Sequence, residues 1–277
     1  MFKNNKVTSE IESYLLGFLY ADGSITGKIK DKYYTLSISL QQKDKVFLNK
    51  ILDIFNKDMN KNYKLKYQRS TKSFKIDICS ISLNDQLIAL GIAPRKTYEK
   101  DSFVFDNVPN KFKTHFIRGL FDGDGTICQG KDKKFRAGIV SMNMPLLVHI
   151  REYLISNGID VPKLLLEKDK YCRMNFSGNG RVRNFLSKIY KNSNLYLDRK
   201  KDLFISMPPK FKKYNYKGIS INHKDDRWKS EIYANKDDQK RWLGLHSTER
   251  DALNIYNKNA ILLNKPIQIW HGASNVN

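Results

Sequence analysis

One sixteen-residue stretch occurs twice in this chain: SEIESYLLGFLYADGS, residues 9–24, recurs as KFKTHFIRGLFDGDGT, residues 111–126. Gly17 falls on Gly119, Asp22 on Asp124 and Gly23 on Gly125, each pair 102 positions apart. Apolar side chains at helical spacing, Ile11, Leu15, Phe18 and Leu19 in the first copy and Phe112, Phe116 and Leu120 in the second, predict a short amphipathic helix in each. Both helices stop at a glycine suited to a left-handed cap, which puts Asp22 and Asp124 in the last turn, at the negative pole of the macrodipole. An acid is unfavourable there unless a cation offsets it, and a divalent metal is the obvious candidate. Gly17 with Ala21, and Gly119 with Gly123, place small residues four apart on one helical face. Two such faces can touch closely and bring both aspartates to one end of one interface.

The charge balance names the class of partner. Lys plus Arg outnumber Asp plus Glu 50 to 28 in 277 residues, a net charge of +22. Neutralising phosphates releases counterions, so a nucleic acid is the first choice. No stretch approaches the roughly 20 apolar residues of a spanning helix, and the basic residues are spread along the chain, which disfavours a membrane. The start, MFKNNKVTSEIE, lacks an apolar signal region, so an intracellular, soluble protein is expected. Cys79, Cys128 and Cys172 are too few and too scattered for a zinc cluster or a disulfide framework.

Read in order, residues 1–8 are polar and expected to be loose, and the first helix opens with Ser9 and Glu12 as a capping box. A half-buried strand follows, with Tyr34, Leu36, Ile38 and Leu40 alternating with polar residues, then a helix over 44–56. Residues 63–79 read as two strands around a turn at 70–73, with Lys64, Lys66, Gln68 and Lys75 on a polar, basic face suited to a nucleic-acid groove. The second half replays these elements with drift. Composition changes at Pro208-Pro209, and beyond it three short strands and a helix after Ser247 predict a small separate module. The expected divisions are 1–106 and 107–207 for the halves, 208–215 for a linker, 216–265 for the module and 266–277 for a tail.

The segments LLGFLYADG and IRGLFDGDG resemble the two motifs of single-chain LAGLIDADG homing endonucleases. The resemblance implies an α+β fold of two pseudo-symmetric αββαββα-like halves with the motif helices at the seam. It implies a monomer acting on double-stranded DNA over a long, pseudo-palindromic target, with Asp22 and Asp124 as metal ligands. Magnesium suits two hard carboxylates. By the same resemblance Gln42 and Lys43, at the end of the first half's first strand, and Lys96, Arg181 and Lys200 are candidate catalytic neighbours. The matching offset in the second half gives Asn143, Met144 and Pro145, which are not equivalent. An intron-splicing maturase, with RNA as partner, and a non-cleaving DNA binder are the alternatives of the same fold. The C-terminal part resembles the Apetala/ethylene-response-factor DNA-binding domain through Tyr216, Gly218, Trp228, Ile232, Trp242-Leu243-Gly244, Ala252, Tyr256, Asn257 and Ala260. That resemblance implies a three-stranded sheet packed on one helix, with Lys217, Arg227, Lys240 and Trp242 as DNA contacts. Ser220 and Tyr233 stand where that family often has arginine.

Overall fold

The computed structural model describes residues 1–28, 33–92, 94, 103–167, 170–207, 216–222, 225, 227–233 and 240–270. The chain divides into two compact units, Met1–Pro209 and Lys210–Asn277.

In the first unit, α1 (Glu10–Asp22) is followed by β1 (Gly23–Lys28), β2 (Tyr33–Gln41), α2 (Lys45–Met59), β3 (Lys66–Gln68), β4 (Ser73–Cys79) and α3 (Ile81–Ala89). A short α4 (Phe103–Asp106) leads to α5 (Lys113–Asp124), β5 (Gly125–Gln129), β6 (Phe135–Ser141), α6 (Met144–Ser156), β7 (Leu165–Glu167), β8 (Tyr171–Ser177), α7 (Asn179–Tyr190) and α8 (Asp198–Ile205). Each half forms one antiparallel sheet, in the order β1-β2-β4-β3 and β5-β6-β8-β7. The period-two pattern decides which face is buried. Leu36, Ile38, Ile76 and Ile78 point inward in the first sheet, Ile139, Met174 and Phe176 in the second, and α2 and α7 pack on these faces. One hydrophobic core runs through both halves, from Phe2 to Met207.

The structure departs from the sequence reading at several points. The motif helices are not amphipathic. Every residue from Ser13 to Tyr20 in α1 and from Phe116 to Asp122 in α5 is buried, while Ile11 is exposed. A helix enclosed on all sides has no need of a polar stripe. The N-terminal residues are not loose, because Phe2 and Val7 are buried in the core and the Phe2 and Thr8 amides donate to the Glu12 carboxylate. Glu12 therefore reaches Thr8 and not Ser9, although the Ser9 hydroxyl still accepts from the Glu12 amide as N-cap. Gly23 and Gly125 are extended (φ −80, ψ 148 and φ −77, ψ 156), not left-handed, because the chain passes straight from helix into strand. Their lack of a side chain is required by space: a Cβ on Gly23 would stand 2.6 Å from the Leu19 carbonyl oxygen, and one on Gly125 would collide with Phe121.

The halves also match in a different register. Gly23 pairs with Ile38 but Gly125 with Ile139, so the hairpin of the second half is one residue shorter and the offset falls from 102 to 101. Gln42 therefore corresponds to Asn143, and Lys43 to Met144.

The second unit contains β9 (Ile219–Asn222), β10 (Arg227–Tyr233), β11 (Lys240–His246) and α9 (Glu249–Leu262), with β10 central. Thr248 caps α9 by accepting from the Asp251 amide. Tyr216, Ile219 and Ile232 pack on Ala252, Leu253, Tyr256 and Ala260. The packed segment continues past residue 265. Trp270 stacks on Tyr216 at 5.5 Å, and Gln268 bonds both Lys217 and Asn257.

Candidate functional site: the seam of the motif helices

Three glycines let α1 and α5 cross in backbone contact. A Cβ on Gly17 would collide with the Phe116 carbonyl, one on Gly119 with the Tyr14 carbonyl and, at 2.7 Å, the Phe18 nitrogen, and one on Gly123 with the Ala21 methyl. The Asp22 carboxylate lies against Gly123, its Oδ2 3.2 Å from where that Cβ would stand. Asp124 follows in the same turn and is exposed, whereas Asp22 is half-buried. The crossing thus delivers both acids to one end of the seam, where each helix hands over to the first strand of its sheet.

The expected cation at the negative pole is present in part within the chain. Lys200, only 3% exposed, donates from Nζ to the carbonyls of Phe121 (2.6 Å), Asp122 (2.7 Å) and Gly125 (2.5 Å), at the negative end of α5 and the first residue of β5. Burial brings its pKa down to about 8, against the pull of Asp122, Asp22 and Asp124. Lys200, expected as a basic neighbour of the reacting groups, lies within electrostatic reach of Asp22 and Asp124 while its ammonium bonds the backbone at the end of α5.

Beside it lies a group that sequence reasoning missed. Asp122 is buried and accepts from Tyr14 Oη (2.7 Å), Tyr190 Oη (2.6 Å) and the Leu197 amide (2.9 Å). Burial raises its pKa, while these donors and Lys200 hold it down. Burial and the Asp122 carboxylate push both phenols well above their usual range. Arg118, also buried, donates to the Leu195 and Ile189 carbonyls. The first turn of α8 reaches the first half as well, through Arg199 to Asp44 (3.0 Å) and Asp198 to Lys50 (3.1 Å). The only sequence sign of this network was a second acid, two residues before Asp124.

Next to Asp124 is a cavity of about 360 Å³ lined by Tyr20, Ala21, Ser141, Met142, Asn143 and Tyr171 among others. Asn143 caps α6 and donates to Tyr20 Oη at 2.9 Å. Its counterpart Gln42, and Lys43 beside it, are exposed at the equivalent strand end of the first half. Arg181 is placed elsewhere: at the start of α7 it pairs with Asp160 at 2.7 Å. Lys96 lies outside the described residues.

On the outer face of the first sheet, Lys66 and Lys75 stand directly opposite each other, and Asp77 bridges them at 3.2 and 2.9 Å. Gln68 accepts from Ser73 and Ser39, and Lys64 precedes β3 as an exposed residue. In the second unit the face of β10 and β11 turned away from α9 carries Arg227, Lys229, Glu231, Tyr233, Lys240 and Trp242. Trp242 is 60% exposed, Glu231 holds both Lys229 and Lys240, and Lys217 is exposed beside β9.

Among the described residues no group of three or more His, Cys, Asp or Glu side chains could hold a metal by itself. Two carboxylates at the seam still fit magnesium, which usually binds one or two protein carboxylates and completes its shell with water and phosphate oxygens. Among the described residues no helix is long and apolar enough to cross a membrane.

No curated protein matches the sequence. Among solved structures, the chain is similar to the I-LtrWI LAGLIDADG homing endonuclease bound to target DNA, with 11% identity, TM-score 0.44, and coverage of 71% of this chain and 89% of that one. It is similar to the homing endonuclease I-DmoI in complex with DNA and Mn, with 17% identity, TM-score 0.48, and coverage of 66% and 98%. It is also similar to I-GzeII in complex with its DNA target, with 12% identity, TM-score 0.47, and coverage of 71% and 88%. Residues 111–190, from the helix that bears Asp124 to the end of α7, match the family described as the LAGLIDADG-like domain. The second half of the first unit therefore carries a LAGLIDADG-like domain.

Proposed function

We propose that this protein is a site-specific double-strand DNA endonuclease that works with magnesium at the end of the α1–α5 seam. The observation that carries this reading is the glycine-lined crossing, which brings Asp22 and Asp124 to one end of the seam between two four-stranded sheets. A duplex has one scissile phosphate per strand, and a pseudo-twofold seam offers one acid for each. Magnesium held there would supply Lewis acidity toward the phosphates and acidify an attacking water. The chain's own groups do the rest. Asp22 and Asp124 hold the ion, Lys200 keeps the end of α5 in place, and Gln42 and Asn143 occupy corresponding positions from which to orient water. Lys43 adds positive charge next to Gln42 at the strand end; Met144 stands in its place in the second half.

The sheets supply binding. Lys64, Lys66, Gln68 and Lys75 face the groove in this reading, and the net charge of +22 gives the long-range attraction. The second unit is a tethered DNA-contact module of the Apetala/ethylene-response-factor kind, reading through Lys217, Arg227, Lys240 and Trp242 and joined by residues 208–215. Tethering raises overall affinity by effective concentration.

Selection of cleaved sites from a randomised duplex library in magnesium tests the reading. Recovery of one long, roughly palindromic sequence, lost when the metal is chelated, is expected. Recovery of no sequence above background from protein that binds the library would contradict it.

A further inference from the structure

Asp124 is exposed at the end of α5, and the backbone that carries it is held from inside the fold. The buried carboxylate two residues earlier is part of that hold. Asp122 is an acceptor with three donors on it, and each comes from a different part of the chain: Tyr14 from α1, Tyr190 from α7 and the Leu197 amide from the segment that opens α8. Leu197 starts the turn that delivers Lys200, whose ammonium in turn closes on the carbonyls of Phe121, Asp122 and Gly125. The carbonyls that Lys200 holds thus flank Asp124 on both sides in sequence, and the carboxylate that anchors the Lys200 segment lies on the same helical turn.

We propose that Asp122 is a positioning residue for Asp124, gathering α1, α7 and the start of α8 around the last turn of α5 so that Lys200 locks the backbone on either side of Asp124. This rests on the nuclease reading. Position 20 in the first motif, the counterpart of Asp122, is tyrosine. The end of α1 has no carboxylate at the matching place, and although Tyr14 of α1 also binds Asp122, the backbone that Lys200 locks is that of α5, so the loss of Asp122 bears unequally on the two strand scissions.

The test is strand-resolved cleavage by Asp122→Asn, whose amide nitrogen cannot accept the bond it inherits. At saturating protein, with duplex affinity unchanged, one strand should be cut about 10- to 100-fold more slowly than by wild type, the scale on which outer-shell partners act. The other strand should be cut at closer to the wild-type rate, so nicked duplex accumulates. Tyr190→Phe keeps the carboxylate and removes a single donor, so a smaller imbalance of the same kind is expected; it decides the matter if Asp122→Asn does not fold. Equal slowing of both strands, in proportion to lost folded protein, would reduce Asp122 to a structural group, and unaltered cutting would remove the proposal. Wild-type protein assayed on the same duplex carries the nuclease reading separately, so a variant that fails beside a cutting wild type speaks only to Asp122.

Discussion

Gly119→Ala tests the seam with a single methyl group. The added Cβ would stand 2.7 Å from the Phe18 nitrogen and 3.0 Å from the Tyr14 carbonyl carbon, and would overlap the Tyr14 carbonyl oxygen. All three are backbone atoms of α1, so no side chain can swing aside. Relieving the overlap with the Tyr14 carbonyl oxygen to an ordinary contact near 3.4 Å requires α1 and α5 to part by about 1.4 Å. Overpacking of this kind costs about 1–3 kcal/mol, and with a rigid backbone opposite, the upper end applies. Alanine returns about 1 kcal/mol of helix propensity. The net loss is about 2 kcal/mol, a fall in Tm of roughly 4–8 °C for a unit of this size, measured by calorimetry. Gly180→Ala in α7 is the control, since nothing lies within 4 Å of its added methyl; it should be neutral or gain up to about 1 kcal/mol. Equal melting temperatures for wild type and Gly119→Ala would refute the account of the seam.

The remaining predictions concern charge. Tyr14 and Tyr190 have folded pKa values above the ordinary 10.0, so their contribution to stability is complete below pH 10 and is lost as the pH rises past it. Tyr14→Phe and Tyr190→Phe should each flatten that alkaline limb in denaturant titrations. Lys200 acts in the opposite sense: its folded pKa of about 8 lies below the ordinary 10.5, so the unfolded chain holds the extra proton between those values and stability rises with pH across that window. Lys200→Met should remove this rise. Burial alone would raise Asp77, but bonds from Lys75, Ser37 and Lys66 outweigh it and keep the carboxyl below its usual range. Asp77→Asn should free both lysines for phosphate, tightening duplex binding and steepening the log–log salt dependence by about 0.9 per phosphate gained; an unchanged slope would place this face off the DNA.

What could be read from the sequence was whatever repeats locally. The duplicated motif gave the seam, because Gly17 and Gly119 mark a close approach wherever they recur in one pattern. Period-two alternation gave both sheets, and Ser9 and Thr248 behave as the N-caps their chemistry suggests. Long-range closure was hidden. Asp122 meets partners 108, 68 and 75 positions away, and no local pattern records that. Lys200 stood out in sequence only as a candidate basic neighbour of the site; the position of α8 is what turns it into the cap of α5. Spacing misled where one residue decides the register. The shorter hairpin of the second half makes Asn143 the partner of Gln42, two side-chain amides, where a constant offset suggested that the halves had diverged. The cap glycines were read correctly as necessary, for the wrong reason, since crowding by Leu19 and Phe121 excludes a side chain there and φ does not.

The central claim is that two aspartates at one end of the seam carry the chemistry. Asp22→Asn and Asp124→Asn each delete a metal ligand and a negative charge beside phosphate. Cleavage and equilibrium binding should therefore be measured together on the selected target, in magnesium, for wild type and both variants. The account predicts that double-strand cutting is lost in each variant while duplex binding is equal or tighter. Wild-type rates of double-strand cutting by both variants would contradict it.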